Sequence, residues 1–220
     1  TSVTALCLDT VSRSSHEWAK DAEALFVAAL TVLLARGLLG VGRTTMTRST
    51  FGRQPREHVR GGAAGWRSRK KDLERPNGGE YLIVPGPHVY EATVDGALEQ
   101  RIIKVVRGWG RQPAARELPF APTVFDLVRA IVPRDYHPGD RLVRLAQNDA
   151  AARELGTLHG GKFATKRKFI PDSAYVGRMR DENQAVRALQ EALWQSQPDF
   201  CRYMRAAIKS GIASQTLDID

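Results

Sequence analysis

The chain has 220 residues, 42% of them hydrophobic, enough to bury a core of ordinary size in one large domain or two small ones. Thirty-three Lys and Arg against 24 Asp and Glu give a formal net charge of +9, while 26% charged residues excludes general disorder and supercharging. Only Cys7 and Cys201 occur, far apart and among apolar neighbours, which argues against a disulfide framework or a cysteine zinc site and for a reducing, cytoplasmic setting.

The chain opens on residues 3–10, whose loose alternation of Val3, Leu6 and Leu8 predicts a strand. The mixed segment 1–15 lacks the basic start and apolar run of a secretory signal, so none is expected. Ser14 with Glu17 three residues later has the form of a capping box. Trp18, Ala22, Leu25, Phe26, Ala29 and Leu33 then recur at helical spacing until Gly37 offers a C-terminal stop. This helix is about 20 residues long, roughly 30 Å, and is expected to be the central packing element of the N-terminal half. Its apolar run, 22–34, is interrupted by Glu23 and flanked by Lys20 and Arg36, too short for a membrane span.

Thr44, Thr45, Thr47 and Thr50 favour extended structure over 42–50. An irregular basic stretch follows. Between Arg43 and Arg75 stand eight arginines and two lysines against Glu57, Asp72 and Glu74, so this one segment holds +7 of the chain's charge. Gly61, Gly62 and Gly65 permit close backbone approach, and Phe51 and Trp66 offer stacking faces. Arginine forks match phosphate oxygens, and each neutralised phosphate releases counterions. The competing view is a solvated loop that keeps the protein soluble. Density, arginine bias and interleaved glycines favour contact with a polyanion, through Arg43, Arg48, Arg53, Arg56, Arg60, Arg67, Arg69, Lys70 and Lys71, with Trp66 as a stacking platform.

From 80 onward the pattern predicts a β-meander. Strands are expected over 81–84, 88–94 and 98–106, with a Pro85-Gly86-Pro87 turn and an Asp95-Gly96 hairpin turn between them. On that reading Arg101 and Arg107 share one face of the last strand and Lys104 the other, a mixture that suits ordinary surface charge as well as a groove wall. Gly110, Pro113, Pro119 and Pro122 mark a joint over 108–122.

The remainder reads as helical. Thr123 is placed to cap a helix over 124–132, Asp140 one running to Gly156, and Asp172 or Ser173 one carrying Val176, Met179, Val186, Leu189 and Leu193. A last helix is expected to begin at Pro198, carry Phe200, Tyr203, Met204, Ala207 and Ile208, and end at Gly211. Within this half, residues 159–169 repeat the chemistry of the first basic stretch. Lys162, Lys166, Arg167 and Lys168 stand with Phe163 behind the Gly160-Gly161 pair, and no acid is present. The spacing is not that of a nucleotide-binding P-loop, which excludes a nucleoside triphosphatase reading.

Motifs for catalysis are weak. Asp95 with Glu99 and Arg101 approximates a metal-nuclease carboxylate cluster, yet arginine is a poor proton donor and Asp95 fits its turn. Metal-free RNA cleavage needs only a histidine base beside cations; His16, His58, His88, His137 and His159 are available, each more ordinarily a surface or packing residue. They lack zinc-ligand spacing, and no G-x-S-x-G elbow is present. Neither a metal nor a cofactor is expected.

The sequence therefore predicts an α+β protein: an N-terminal antiparallel or mixed sheet, with a ferredoxin-like or RNA-recognition-type sheet as one arrangement the order allows, packed on a long helix and followed by a helical C-terminal half. The division falls at 1–110 and 111–220. The expected work is holding RNA or single-stranded nucleic acid, or DNA, alongside other protein subunits of a nucleoprotein assembly and with no membrane partner. A nuclease through Asp95 and Glu99 or a histidine, and a capsid-type protein with a basic arm, are the alternatives.

Overall fold

The computed structural model describes residues 18–44, 80–110, 122–160 and 168–217. The strand expected over 3–10, the Ser14–Glu17 capping box and most of the proline-rich joint lie outside them. Helix α1, Trp18–Ala35, is the element on which the others are assembled. Every residue from 25 to 33 is buried, including Thr31, whose hydroxyl donates to the Val27 carbonyl at 2.8 Å. A helix apolar all round needs neighbours all round.

The helix stops as its sequence dictates. Gly37 adopts φ +66°, a conformation costly for any residue with a Cβ, and donates its N–H to the Leu34 carbonyl at 3.0 Å. The Leu38 N–H reaches the Leu33 carbonyl at 3.0 Å, which completes a Schellman motif with both leucines buried. The chain leaves directly into β1, Leu39–Thr44, paired antiparallel with β2, Glu80–Pro85, in a register running from Leu39↔Pro85 to Thr44↔Glu80. The start of extended structure is thus three residues earlier than the threonines suggest. On its other edge β2 meets the 122–123 segment, where the Ile83 N–H donates to the Pro122 carbonyl at 2.7 Å and Leu82 bridges Thr123. Gly86 lies so close to the Gly37 carbonyl that a Cβ there would collide with it.

Beyond β2 the expected meander is corrected. Residues 86–96 form turns and coil, and residues expected to pair as a third strand instead form α2, Ala97–Gly110. Leu98, Ile102, Ile103 and Val106 are buried while Gln100, Arg101 and Lys104 are exposed, a helical division. Asp95-Gly96 introduces that helix: the Gly96 carbonyl accepts from the Gln100 N–H at 2.9 Å, and Asp149 lends its carboxylate to the Ala97 N–H at 3.2 Å.

Helix α3, Val124–Ile131, begins as foreseen, with the Thr123 hydroxyl accepting from the Asp126 N–H at 3.1 Å. Helix α4, Pro138–Ala152, differs from expectation at its start: Pro138 occupies the first turn after His137, so Asp140 sits inside the helix and does not cap it. Strands β3, Gly156–His159, and β4, Lys168–Pro171, pair antiparallel in a second ribbon. Asp172 caps α5, Ser173–Ser196, accepting from the Ala174 N–H at 2.9 Å, and Pro198 opens α6, Pro198–Ala213. The last helix runs past Gly211, which is buried inside it because a Cβ there would approach the Val128 side chain to 2.8 Å.

The result is α+β, with the strand pair β1–β2 N-terminal and helices predominating after it, as the sequence predicts. The described strands form two separate two-stranded ribbons rather than one ferredoxin-like sheet. Helix α1 packs against α2, α4, α5, α6 and β1. One core cluster runs from Ala22 through Ile83, Ile102, Leu127 and Leu142 to Ile208, so α1 is the centre of both halves and not of the N-terminal one alone. Among the described residues no helix is long and apolar enough to cross a membrane.

Candidate nucleic-acid interface

The two basic segments occupy equivalent places in the chain. Each joins the strands of an antiparallel ribbon: residues 45–79 join β1 to β2 beyond the Thr44↔Glu80 pair, and residues 160–167 join β3 to β4 beyond His159↔Lys168. Opposed residues in such a pair have Cα atoms only about 5 Å apart. The first segment therefore leaves and re-enters the fold at one narrow root, on a strand pair fixed by the core. Of the residues singled out from sequence, Arg43 stands at this root and Lys168 opens β4 at the other. Arg48, Arg53, Arg56, Arg60, Trp66, Arg67, Arg69, Lys70, Lys71, Lys162, Phe163, Lys166 and Arg167 lie outside the described residues, as do Phe51, His16 and His58.

Arg43 is exposed, with its guanidinium carbon 5.4 Å from the centroid of the Tyr81 ring on the opposite strand. That contact sets the guanidinium, a fork of N–H donors suited to phosphate, beside an aromatic ring. Tyr81 in turn packs against two aromatic rings of α6, edge-on to Phe200 at 5.4 Å and tilted to Tyr203 at 5.3 Å. Phe200 and Tyr203 are buried. A chain of contacts, Arg43 to Tyr81 to Tyr203, so anchors the root of the basic segment on the last helix. The sequence reading placed Tyr203 in the core but did not see Tyr81 as the link; nothing in local spacing connects residues so distant in the chain.

Other cations serve the fold. Arg107 is corrected from a strand residue of a possible groove wall: on α2 it donates from Nε to the Val89 carbonyl at 2.6 Å and from a terminal nitrogen to the Ala92 carbonyl at 2.8 Å, pinning the 86–96 segment. Arg36 donates to the Thr93 carbonyl at 3.4 Å. Arg101 and Lys104 share the exposed side of α2, where helical spacing brings together what a strand would have set on opposite faces.

The carboxylates proposed for metal chemistry do not converge. Glu99 is buried, its carboxylate so close over Gly96 that a Cβ on that glycine would collide with it, while Asp95 is exposed. Among the described residues no group of three or more His, Cys, Asp or Glu could hold a metal ion. Cys201 is buried, and burial pushes its thiol up, with the charge of Arg205 pulling weakly the other way. It is a packing residue. Of the histidines, His159 is exposed at the root of the second basic segment, its Nε2 lying 3.2 Å from the Thr157 hydroxyl.

Comparison with known proteins finds no matching family model, no matching curated protein and no matching solved structure.

Proposed function

We propose that this protein holds RNA or single-stranded nucleic acid by its phosphate backbone, as a subunit of a nucleoprotein complex. The observation that carries the reading is the position of the 43–75 segment, with its net +7, at the end of a strand pair whose root is an exposed, aromatic-stacked arginine. Basic residues concentrated in one stretch of chain whose two ends are held together raise the positive potential met by a polyanion more than the same residues spread along the sequence. Capture is electrostatic, through arginine forks and counterion release, with Trp66, Phe51 or Phe163 stacking on unpaired bases. The second basic segment, with Lys162, Lys166, Arg167 and Lys168, has the same hairpin setting and adds further phosphate contacts.

The purified protein should carry nucleic acid, seen as a raised ultraviolet absorbance ratio that nuclease treatment abolishes. Changing Arg67, Arg69, Lys70 and Lys71 together to Ala should flatten the salt dependence of single-strand binding by about 3 in log–log slope, at about 0.7 per phosphate contact. An unchanged slope counts against the reading.

A second reading, metal-free RNA cleavage, is favoured by one observation: His159 lies opposite Lys168 in the β3–β4 register, a base and a cation at one root. It requires cleavage that persists in chelator and disappears in His159→Ala. Cleavage unaffected by that change rules His159 out.

A further inference from the structure

We infer that the outer face of α6, formed by Arg202, Arg205 and Lys209 with Trp194 of α5 beside it, is a second contact surface for the same nucleic-acid strand. This rests on the binding reading above and adds to it a rigid wall on the folded body. Helix α6 divides sharply. Phe200, Cys201, Tyr203, Met204, Ala207, Ile208, Gly211 and Ile212 are buried, while the exposed positions from 200 to 213 are Arg202, Arg205, Lys209 and Ala213. No acid occurs between Phe200 and Leu217.

An amphipathic helix needs a polar face, but it does not need a face of one sign. The adjacent α5 shows the ordinary solution, with Arg178, Arg180 and Arg187 mixed among Asp181, Glu182 and Glu191 and with Arg178 paired to Glu182 at 3.3 Å. On α6 the only acid is Asp199 in the first turn, 3.0 Å from Arg202. That pair is exposed on both sides and is worth less than about 1 kcal/mol, so a phosphate can displace the carboxylate. Among the described residues Lys209 has no ion pair. The three cations at i, i+3 and i+7 form a row about 10 Å long at 1.5 Å per residue. Ala206, Ser210 and Ala213 keep the rest of the face low.

One further observation supports a nucleic acid there. Trp194 is 39% exposed and has the Arg205 guanidinium over its ring, 5.2 Å from the centroid, which joins an aromatic surface and a phosphate fork in one exposed contact.

The test is binding of a fluorescein-labelled 20-nucleotide single-stranded RNA, followed by anisotropy from low to high salt. Arg202→Gln, Arg205→Gln and Lys209→Gln combined should lower the log–log salt slope by about 2 and the affinity on the order of a hundredfold at about 0.1 M salt. Glutamine is nearly neutral for an exposed helix, and an unchanged thermal transition shows the fold is kept. Lys209→Gln alone, at a position with no ion pair among the described residues, should lower the slope by about 0.7. Wild-type protein that binds while the triple variant keeps its slope and affinity overturns the α6 wall and leaves the binding reading standing. Wild-type protein that binds no strand at any salt overturns both.

Discussion

Replacing residues 45–79 by a two-residue Asn-Gly turn separates the fold from its basic segment. The Thr44↔Glu80 pair already brings the two strand ends to the spacing of a tight hairpin, and an Asn-Gly turn closes such a pair with the right twist. The change removes nine Lys or Arg and three acids, taking the net charge from +9 to +3. Shortening the connection from 35 residues to two is about four halvings of loop length, worth at most about 2.5 kcal/mol of loop-closure entropy at about 0.6 kcal/mol each. The shortened chain should therefore fold, with a urea midpoint equal to or above that of the parent, read by circular dichroism. Its RNA affinity should collapse: if six of the nine cations meet phosphates, the salt slope drops by about 4. A shortened chain that folds and binds with the parent's slope refutes the placement of the interface, and one that does not fold refutes the view of the segment as an insertion on an independent ribbon.

Gly211→Val should destabilise by about 1–3 kcal/mol in denaturant unfolding, because the added carbons must enter space filled by Val128. Asp149→Ala should cost about 1 kcal/mol by removing the carboxylate that receives the first N–H of α2, and should speed amide exchange at Ala97 more than in the interior of that helix. Gly37→Ala should cost about 1 kcal/mol through its positive φ, without altering RNA binding. The hydrogen bond from Arg141, aided by the His137 backbone N–H, holds the Asp135 carboxyl below its ordinary value of 3.8. A depressed folded pKa stabilises above the unfolded value and is lost as pH falls through the folded one, so Asp135→Asn should flatten the pH dependence of stability below about pH 4. The change is under about 1 kcal/mol because the pair faces water.

What the sequence disclosed and what it concealed divide along the range of the forces involved. Gly37, Thr123, Asp172 and Pro198 act on the backbone within four residues, and each does in the structure what its chemistry predicts. The error over 88–106 came from weighing turn and strand propensity above period. Ile102, Ile103, Val105 and Val106 are β-formers after an Asp-Gly pair, yet Leu98, Ile102 and Val106 already stand at helical spacing, and burial against α3 and α4 makes that period decisive. Asp149 closing α2 and Tyr81 joining β2 to α6 have no local signature, since the partners are more than 50 residues apart. The candidate interface was legible as composition, because charge density needs no fold to be counted. Its roots were not, because a hairpin that closes over 35 residues leaves no turn motif to read.

The distribution of charge bears on mechanism as well as on location. Outside 43–75 the chain carries only +2, and several cations of the folded body are already engaged: Arg36 and Arg107 on carbonyls, Arg129 over the Phe125 ring at 5.8 Å, Arg141 on Asp135, Arg178 on Glu182. A body so close to neutral has little self-repulsion to destabilise it and little long-range attraction for a polyanion. On the proposed binding reading the 43–75 segment supplies most of the long-range attraction, and first contact through it should fall steeply in rate with ionic strength. On the same proposal the α6 row, short and with Arg202 and Arg205 engaged by Asp199 and Trp194, would act only once the segment has raised the local concentration of the strand. Losing the segment should then slow association, whereas losing the α6 row should leave association nearly unchanged and speed release.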